Sequence, residues 1–157
     1  MPSITRFEDL DCWQEARILT RVVYDITNNG PFKKDLRLCS QVQSASGSVM
    51  ANIAEGFVRR SDKELVQFLF IAMSSAAEVQ SHLYIALDQG YIDERKFQEV
   101  YNQAEKTGKM ISAFIKYLRS SPTKQTRQTR RTRQTQSTQQ TQSTQRTQAT
   151  QQTQVTQ

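Results

Sequence analysis

The stretch Asn52-Ile53-Ala54-Glu55-Gly56, followed by Arg59-Arg60-Ser61-Asp62-Lys63-Glu64 and then by Phe68-Leu69 and Ile71-Ala72, decides the fold. It reads as one helix stopping and a second being capped and started. Gly56 can take the left-handed conformation that closes a helix C-terminus. Ser61 stands three residues ahead of Glu64, a capping box whose side chains satisfy orphan N–H groups of the helix that follows.

Upstream, a helix over about residues 35–55 has Leu38, Val42, Ala45, Val49 and Ile53 as its buried candidates. Its Ser44-Ala45-Ser46-Gly47-Ser48 run is small enough to let a neighbouring backbone come close, at a tight helix crossing or a subunit contact. A helix over about 11–28 precedes it, with Cys12, Ala16, Leu19, Val23 and Ile26 on one stripe. Asp11 with Gln14 offers its N-cap, and Asn28-Asn29-Gly30-Pro31 stops it. Trp13 flanks the stripe, placed to anchor the core or a subunit contact rather than to stack on a base.

Downstream, Leu65, Phe68, Leu69, Ala72, Ala76, Val79, Leu83, Ala86 and Leu87 keep a helical spacing over 62–89, and Gly90 closes it. A fourth helix starts at Asp93, with Ile92 and Phe97 placed as a hydrophobic staple. Its stripe is Phe97, Val100, Tyr101, Ala104, Ile111, Phe114, Ile115 and Leu118, and Ser120-Ser121-Pro122 ends it. No segment alternates like a strand. The expectation is an all-α, antiparallel up-down-up-down four-helix bundle over residues 1–121.

Residues 122–157 are expected to be a separate, disordered tail. Thr recurs at every third place from Thr123 to Thr156, mostly between Gln residues, and such a segment has almost nothing to bury. The tail also accounts for the net charge of +6. Fifteen of the 21 Lys/Arg lie before residue 122, where all 15 Asp/Glu cancel them. Lys124, Arg127, Arg130, Arg131 and Arg133 form a basic stem at the start of the tail, with Arg146 beyond. The stem can attract RNA or DNA through counterion release, but it lacks aromatic residues for base stacking. The other reading of this tail is a solubilising, repeat-derived extension.

The residues of the opening stretch, with Phe7-Glu8-Asp9-Leu10, Trp13, Ser75, Glu78 and Gly90-Tyr91-Ile92, resemble the family encoded in intervening sequences of bacterial 23S ribosomal RNA genes. That family is related to the accessory variability proteins of diversity-generating retroelements, and the resemblance covers about residues 7–118. It implies a four-helix bundle that assembles as a homopentamer. It also implies, from the retroelement relatives, binding to nucleic acid and to a reverse transcriptase through basic surface, with no enzymatic activity. Asn52, Ile53, Ala54, Glu55, Gly56, Ser61 and Glu64 carry the family motif as structural residues. The chain departs from the pattern at Gln43-Ser44, where the family often carries paired Arg, and at Met50, where Pro is common.

Within the bundle, Arg59, Arg60 and Lys63 are the candidate phosphate contacts, aided by the positive end of the third helix. The alternative is that their charges are met locally by Asp62 and Glu64. Glu55 and Glu78 are candidate buried groups fixing helix packing, and Asn52 is expected to bond a helix end.

Catalysis is not expected. Di-metal bundles use Glu-x-x-His pairs, whereas His82 is the single histidine and Glu78 lies four residues before it. No nucleophile–base pair or Gly-rich phosphate loop is evident, the five glycines being scattered at helix ends and within the second helix. No metal or cofactor is expected.

Cys12 and Cys39 read as reduced, helix-borne thiols. With no membrane-spanning run and no signal-peptide pattern, a cytoplasmic location is expected. Two functions follow: an oligomeric accessory factor for nucleic acid or a reverse transcriptase, or a protein-interaction bundle supported by the neutral folded part.

Overall fold

A computed structural model describes residues 4–59 and 61–120, so the tail and its basic stem lie outside the described residues. Within them the chain forms four long helices and no strand: α1 (Asp11–Asn28), α2 (Leu36–Val58), α3 (Asp62–Asp88) and α4 (Glu94–Ser120). Single 3-10 turns at Phe7–Asp9 and Phe32–Lys34 precede α1 and α2. Short connections make sequence neighbours antiparallel, as expected of an up-down-up-down bundle. Every residue of the expected α1 stripe is buried, as are all five α2 candidates.

The buried side chains divide into two clusters along the bundle. One gathers Leu19, Val23, Phe32, Leu38, Val42, Leu83, Phe97 and Val100 at the α1–α2 and α3–α4 turns. The other gathers Cys12, Ala16, Ile53, Leu65, Leu69, Ile111 and Ile115 toward the opposite end. Between them each helix contributes a hydroxyl: Thr20, Ser46, Ser75 and Thr107. Each donates to a carbonyl of its own helix, so these groups enter the interior already satisfied. Thr20 also reaches Ser46 O of α2 (3.0 Å), and Ser75 Oγ lies 3.0 Å from Ser48 Oγ.

Four local readings are corrected. Gly56 is not a left-handed cap; positive φ occurs at Gly30 and Gly90 among the described residues, and α2 continues to Val58. A Cβ on Gly56 would lie 2.7 Å from Phe68 Cβ and 3.0 Å from Leu65 Cδ1, so its missing side chain is what lets α2 and α3 close together. The small run at Ser44–Ser48 does not play that part at Gly47, where a Cβ would meet nothing within 4 Å. The N-cap of α1 is Leu10, with Asp11 already inside the first turn, and Gln14 Nε2 donates to Glu8 O instead. Gly108 sits inside α4, away from any helix end.

The other caps follow their chemistry. Asp35 Oδ1 accepts from Leu38 N (3.0 Å), and Asp93 Oδ1 accepts from Lys96 N (2.8 Å). Ser61 Oγ accepts from Glu64 N while donating to Glu64 Oε2 (2.6 Å). Across the turn end, Tyr91 OH donates to Asp35 Oδ2, and its ring stacks on the fully buried Phe32 at 5.5 Å. Between α1 and α4, Glu15 accepts from Gln103 Nε2 (2.7 Å) and Lys106 Nζ (2.8 Å).

Glycine substitutions should separate packing from propensity. Gly56→Ala forces Phe68 and its backbone to move, and is expected to lower the free energy of unfolding by about 1–2 kcal/mol despite the better helix former. Gly108→Ala meets no atom within 4 Å and should raise it by up to about 1 kcal/mol. Urea midpoints of the two variants check the opposite signs.

Acid should expose the α1–α4 tie. The hydrogen bond from Lys106, then that from Gln103, holds the Glu15 carboxyl below its ordinary value of 4.5. The unfolded chain therefore takes up this proton first as pH falls. The stability it contributes is complete above the ordinary value and lost as pH drops through the depressed one. Urea midpoints taken between neutral and acid pH should fall less steeply in Glu15→Gln than in the natural chain.

Candidate nucleic-acid interface

Of the basic residues expected to contact phosphate, Arg59 and Lys63 flank the start of α3. Arg60, Lys124, Arg127, Arg130, Arg131 and Arg133 lie outside the described residues. Arg59 is already engaged. Its guanidinium pairs with Glu55 Oε1 at 2.6 Å and lies 5.0 Å from the Phe68 ring centroid. The partner of Arg59 is thus Glu55, one turn back on α2. Lys63 is exposed on a shallow groove with Gln67, Phe70 and Arg119, and the Arg119 guanidinium sits over the Phe70 ring. Among the described residues, the α3 N-terminus offers Lys63 as an exposed cation beside the engaged Arg59.

The rest of the motif is structural. Ile53 and Gly56 are buried in the α2–α3 contact. Asn52 Nδ2 donates to Ser48 O (2.8 Å) and Ser48 Oγ (3.0 Å), which ties it to the middle of its own helix rather than to a helix end. Glu55 and Glu78 are not buried packing groups; their side chains are 52% and 57% exposed. Glu55 pairs with Arg59 on the surface, and Glu78 Oε1 lies 3.4 Å from His82 Nε2. His82 is the more enclosed partner, and its Nδ1 is buried without a hydrogen bond.

A basic surface that motif reasoning missed lies on α1. Trp13, Arg17 and Arg21 repeat every four residues along its outer side, and with Arg6, Gln14 and Ile18 they line a groove of about 480 Å³. Trp13 is half-buried, and its ring meets Phe7 edge-on at 5.1 Å. It therefore anchors the lower cluster, as expected, while also forming one wall of the groove. Arg6 pairs with Glu8 Oε1 at 2.9 Å; that hydrogen bond raises the Arg6 pKa and lowers that of Glu8. Arg17 and Arg21 are exposed and make no ion pair among the described residues. The i, i+4, i+8 spacing of an aromatic and two arginines was the signal available in the sequence.

Other chemistry finds little purchase. Among the described residues no group of three or more His, Cys, Asp or Glu side chains is placed to hold a metal ion. Cys12 and Cys39 are buried and unpaired, and burial pushes the Cys12 thiol up to about 11, away from the reactive thiolate. No helix among the described residues is long and apolar enough to cross a membrane.

The chain is similar in structure to a protein from Bacteroides thetaiotaomicron, described as of unknown function and from the S23 ribosomal protein family. The TM-score is 0.61 at 22% identity, with 67% of this chain and 98% of that one covered. At that identity the likeness speaks for the fold alone. No curated protein matches the chain. The family model described as 23S rRNA-intervening sequence protein matches residues 8–113, well over half of the chain. With the α2–α3 motif holding the helices as described, the chain belongs to the 23S rRNA-intervening sequence protein family.

Proposed function

We propose that this protein is a non-enzymatic bundle that self-associates through α2 and α3 and serves as an accessory factor for nucleic acid or for the reverse transcriptase that copies it. The observation that carries this reading is the separation of charge between helix faces. From Gln41 to Ala54, α2 has no charged residue, and from Val66 to Leu87, α3 has Glu78, His82 and Tyr84 as its ionisable groups. Their solvent sides expose Ala51, Val58, Ile71 and Ile85, an apolar surface that a folded monomer has no reason to leave uncovered. By contrast α4 carries six Lys/Arg against three Glu, and the two unpaired α1 arginines add to the basic side.

A second copy is the natural cover for α2 and α3, because along the middle of the two helices little besides Glu78 and His82 would have to be desolvated. The α4 helix and the Arg17–Arg21 face of α1 are then left to the ligand. Repetition of a modest patch around an oligomer raises avidity without new contacts. The pentamer implied by the resemblance is the assembly proposed here. The neutral balance of residues 1–121 and the engagement of Arg59 by Glu55 favour, as the second reading, a protein-interaction scaffold with the same assembly.

Light scattering coupled to size exclusion tests the assembly: the natural chain is expected as an oligomer, and Ile71→Glu with Ile85→Glu as a folded monomer. A natural chain that runs as a monomer at all concentrations sinks the α2–α3 interface. Affinity for RNA against salt concentration tests the ligand. The full chain carrying Gln at Lys124, Arg127, Arg130, Arg131 and Arg133 should keep a clear salt slope. Loss of all binding in that variant leaves the scaffold reading.

A further inference from the structure

The α1 groove joins features that point to one ligand chemistry. Arg17 and Arg21 stand one helical turn apart, about 6 Å, exposed and without a carboxylate partner among the described residues. Trp13 stands one turn before them and presents the uncovered part of its ring to the same groove. Arg6 and Glu8, paired with each other, and Gln14, whose amide donates to Glu8 O, complete the lining. The groove thus offers two available guanidiniums, one aromatic surface and a short apolar floor at Ile18.

We infer that this groove holds an unpaired nucleic-acid strand, with adjacent phosphates on Arg17 and Arg21 and a base against Trp13. This rests on the nucleic-acid reading above and gives it a location on the bundle. Guanidinium accepts phosphate in a planar, two-pronged geometry and is more weakly hydrated than an ammonium group, which suits an open surface. Stacking requires a base free of its partner strand, and the span from residue 13 to residue 21 is about 12 Å, enough for two or three nucleotides. A duplex would present its phosphates but keep its bases from the indole. An acidic peptide would use the arginines without using the ring.

Trp13 is the single tryptophan of the chain, so its emission reports on this groove directly. The experiment titrates the full chain with a labelled oligouridine, following label anisotropy and Trp13 emission together. The same titration is run on Arg17→Gln with Arg21→Gln, both exposed and outside either apolar cluster. The expected result is quenching that tracks anisotropy, with affinity about tenfold or more weaker in the double variant. The salt slope should fall by about 1.4, for two single-strand phosphates lost.

Binding by anisotropy with unchanged Trp13 emission and equal affinity in the variant overturns the groove while leaving nucleic-acid binding intact elsewhere. Absence of any binding removes both the groove and the reading on which it rests. Equal quenching by a duplex or by polyglutamate also overturns it, the latter in favour of an acidic protein partner.

Discussion

The close approach of α2 and α3 at Gly56 is the constraint on which the rest of the bundle depends. With no side chain at that position, Phe68 and Leu65 of α3 sit directly over the last turn of α2. Two residues later α2 ends at Val58, and α3 starts at Asp62 after only three intervening residues, the last of them its cap Ser61. So short a turn between such long helices holds them side by side, leaving α1 and α4 to complete the core. The Arg59–Glu55 pair and the Arg59–Phe68 contact lie over the same corner, which is why a basic cluster read as a ligand site is partly used in building the fold.

Much of the architecture was legible because periodicity and caps agreed. The α1 and α2 stripes, the Ser61 cap and the positive-φ closures at Gly30 and Gly90 all followed from local chemistry. What escaped was whatever depends on a neighbour. Gly56 has the same sequence signature as a C-cap glycine, and its role as a contact glycine appears only when Phe68 is placed against it. Phe32 and Thr107, both fully buried, were missed for related reasons. Phe32 lies in a turn beyond any helical stripe, and Thr107 is polar until its hydroxyl is seen returning to Gln103 O. Glu55 and Glu78 carried the opposite error, since position in a motif was taken for burial.

The candidate interface shows the same division. Motif reasoning favoured the densest run of cations along the chain, whereas a surface groove is assembled by helical spacing and by segments that precede the helix. Trp13, Arg17 and Arg21 are far apart as text and adjacent as surface. Arg6 joins them only because the 3-10 turn at Phe7–Asp9 folds the incoming chain back onto α1.

The layer of hydroxyls between the two apolar clusters gives the bundle a waist. Thr20, Ser46, Ser75 and Thr107 occupy positions where larger apolar side chains would have welded the two halves into one continuous core. Their bonds return mainly to their own helices, so they join the halves weakly while leaving no polar atom stranded. The end that holds Trp13 and the end that holds Phe32 and Tyr91 therefore bury separate apolar clusters, a division along which helical proteins can open locally. Ordering at the Trp13 end would then be insulated from the turns at the far end, a bundle with two local melting units inside one continuous set of helices.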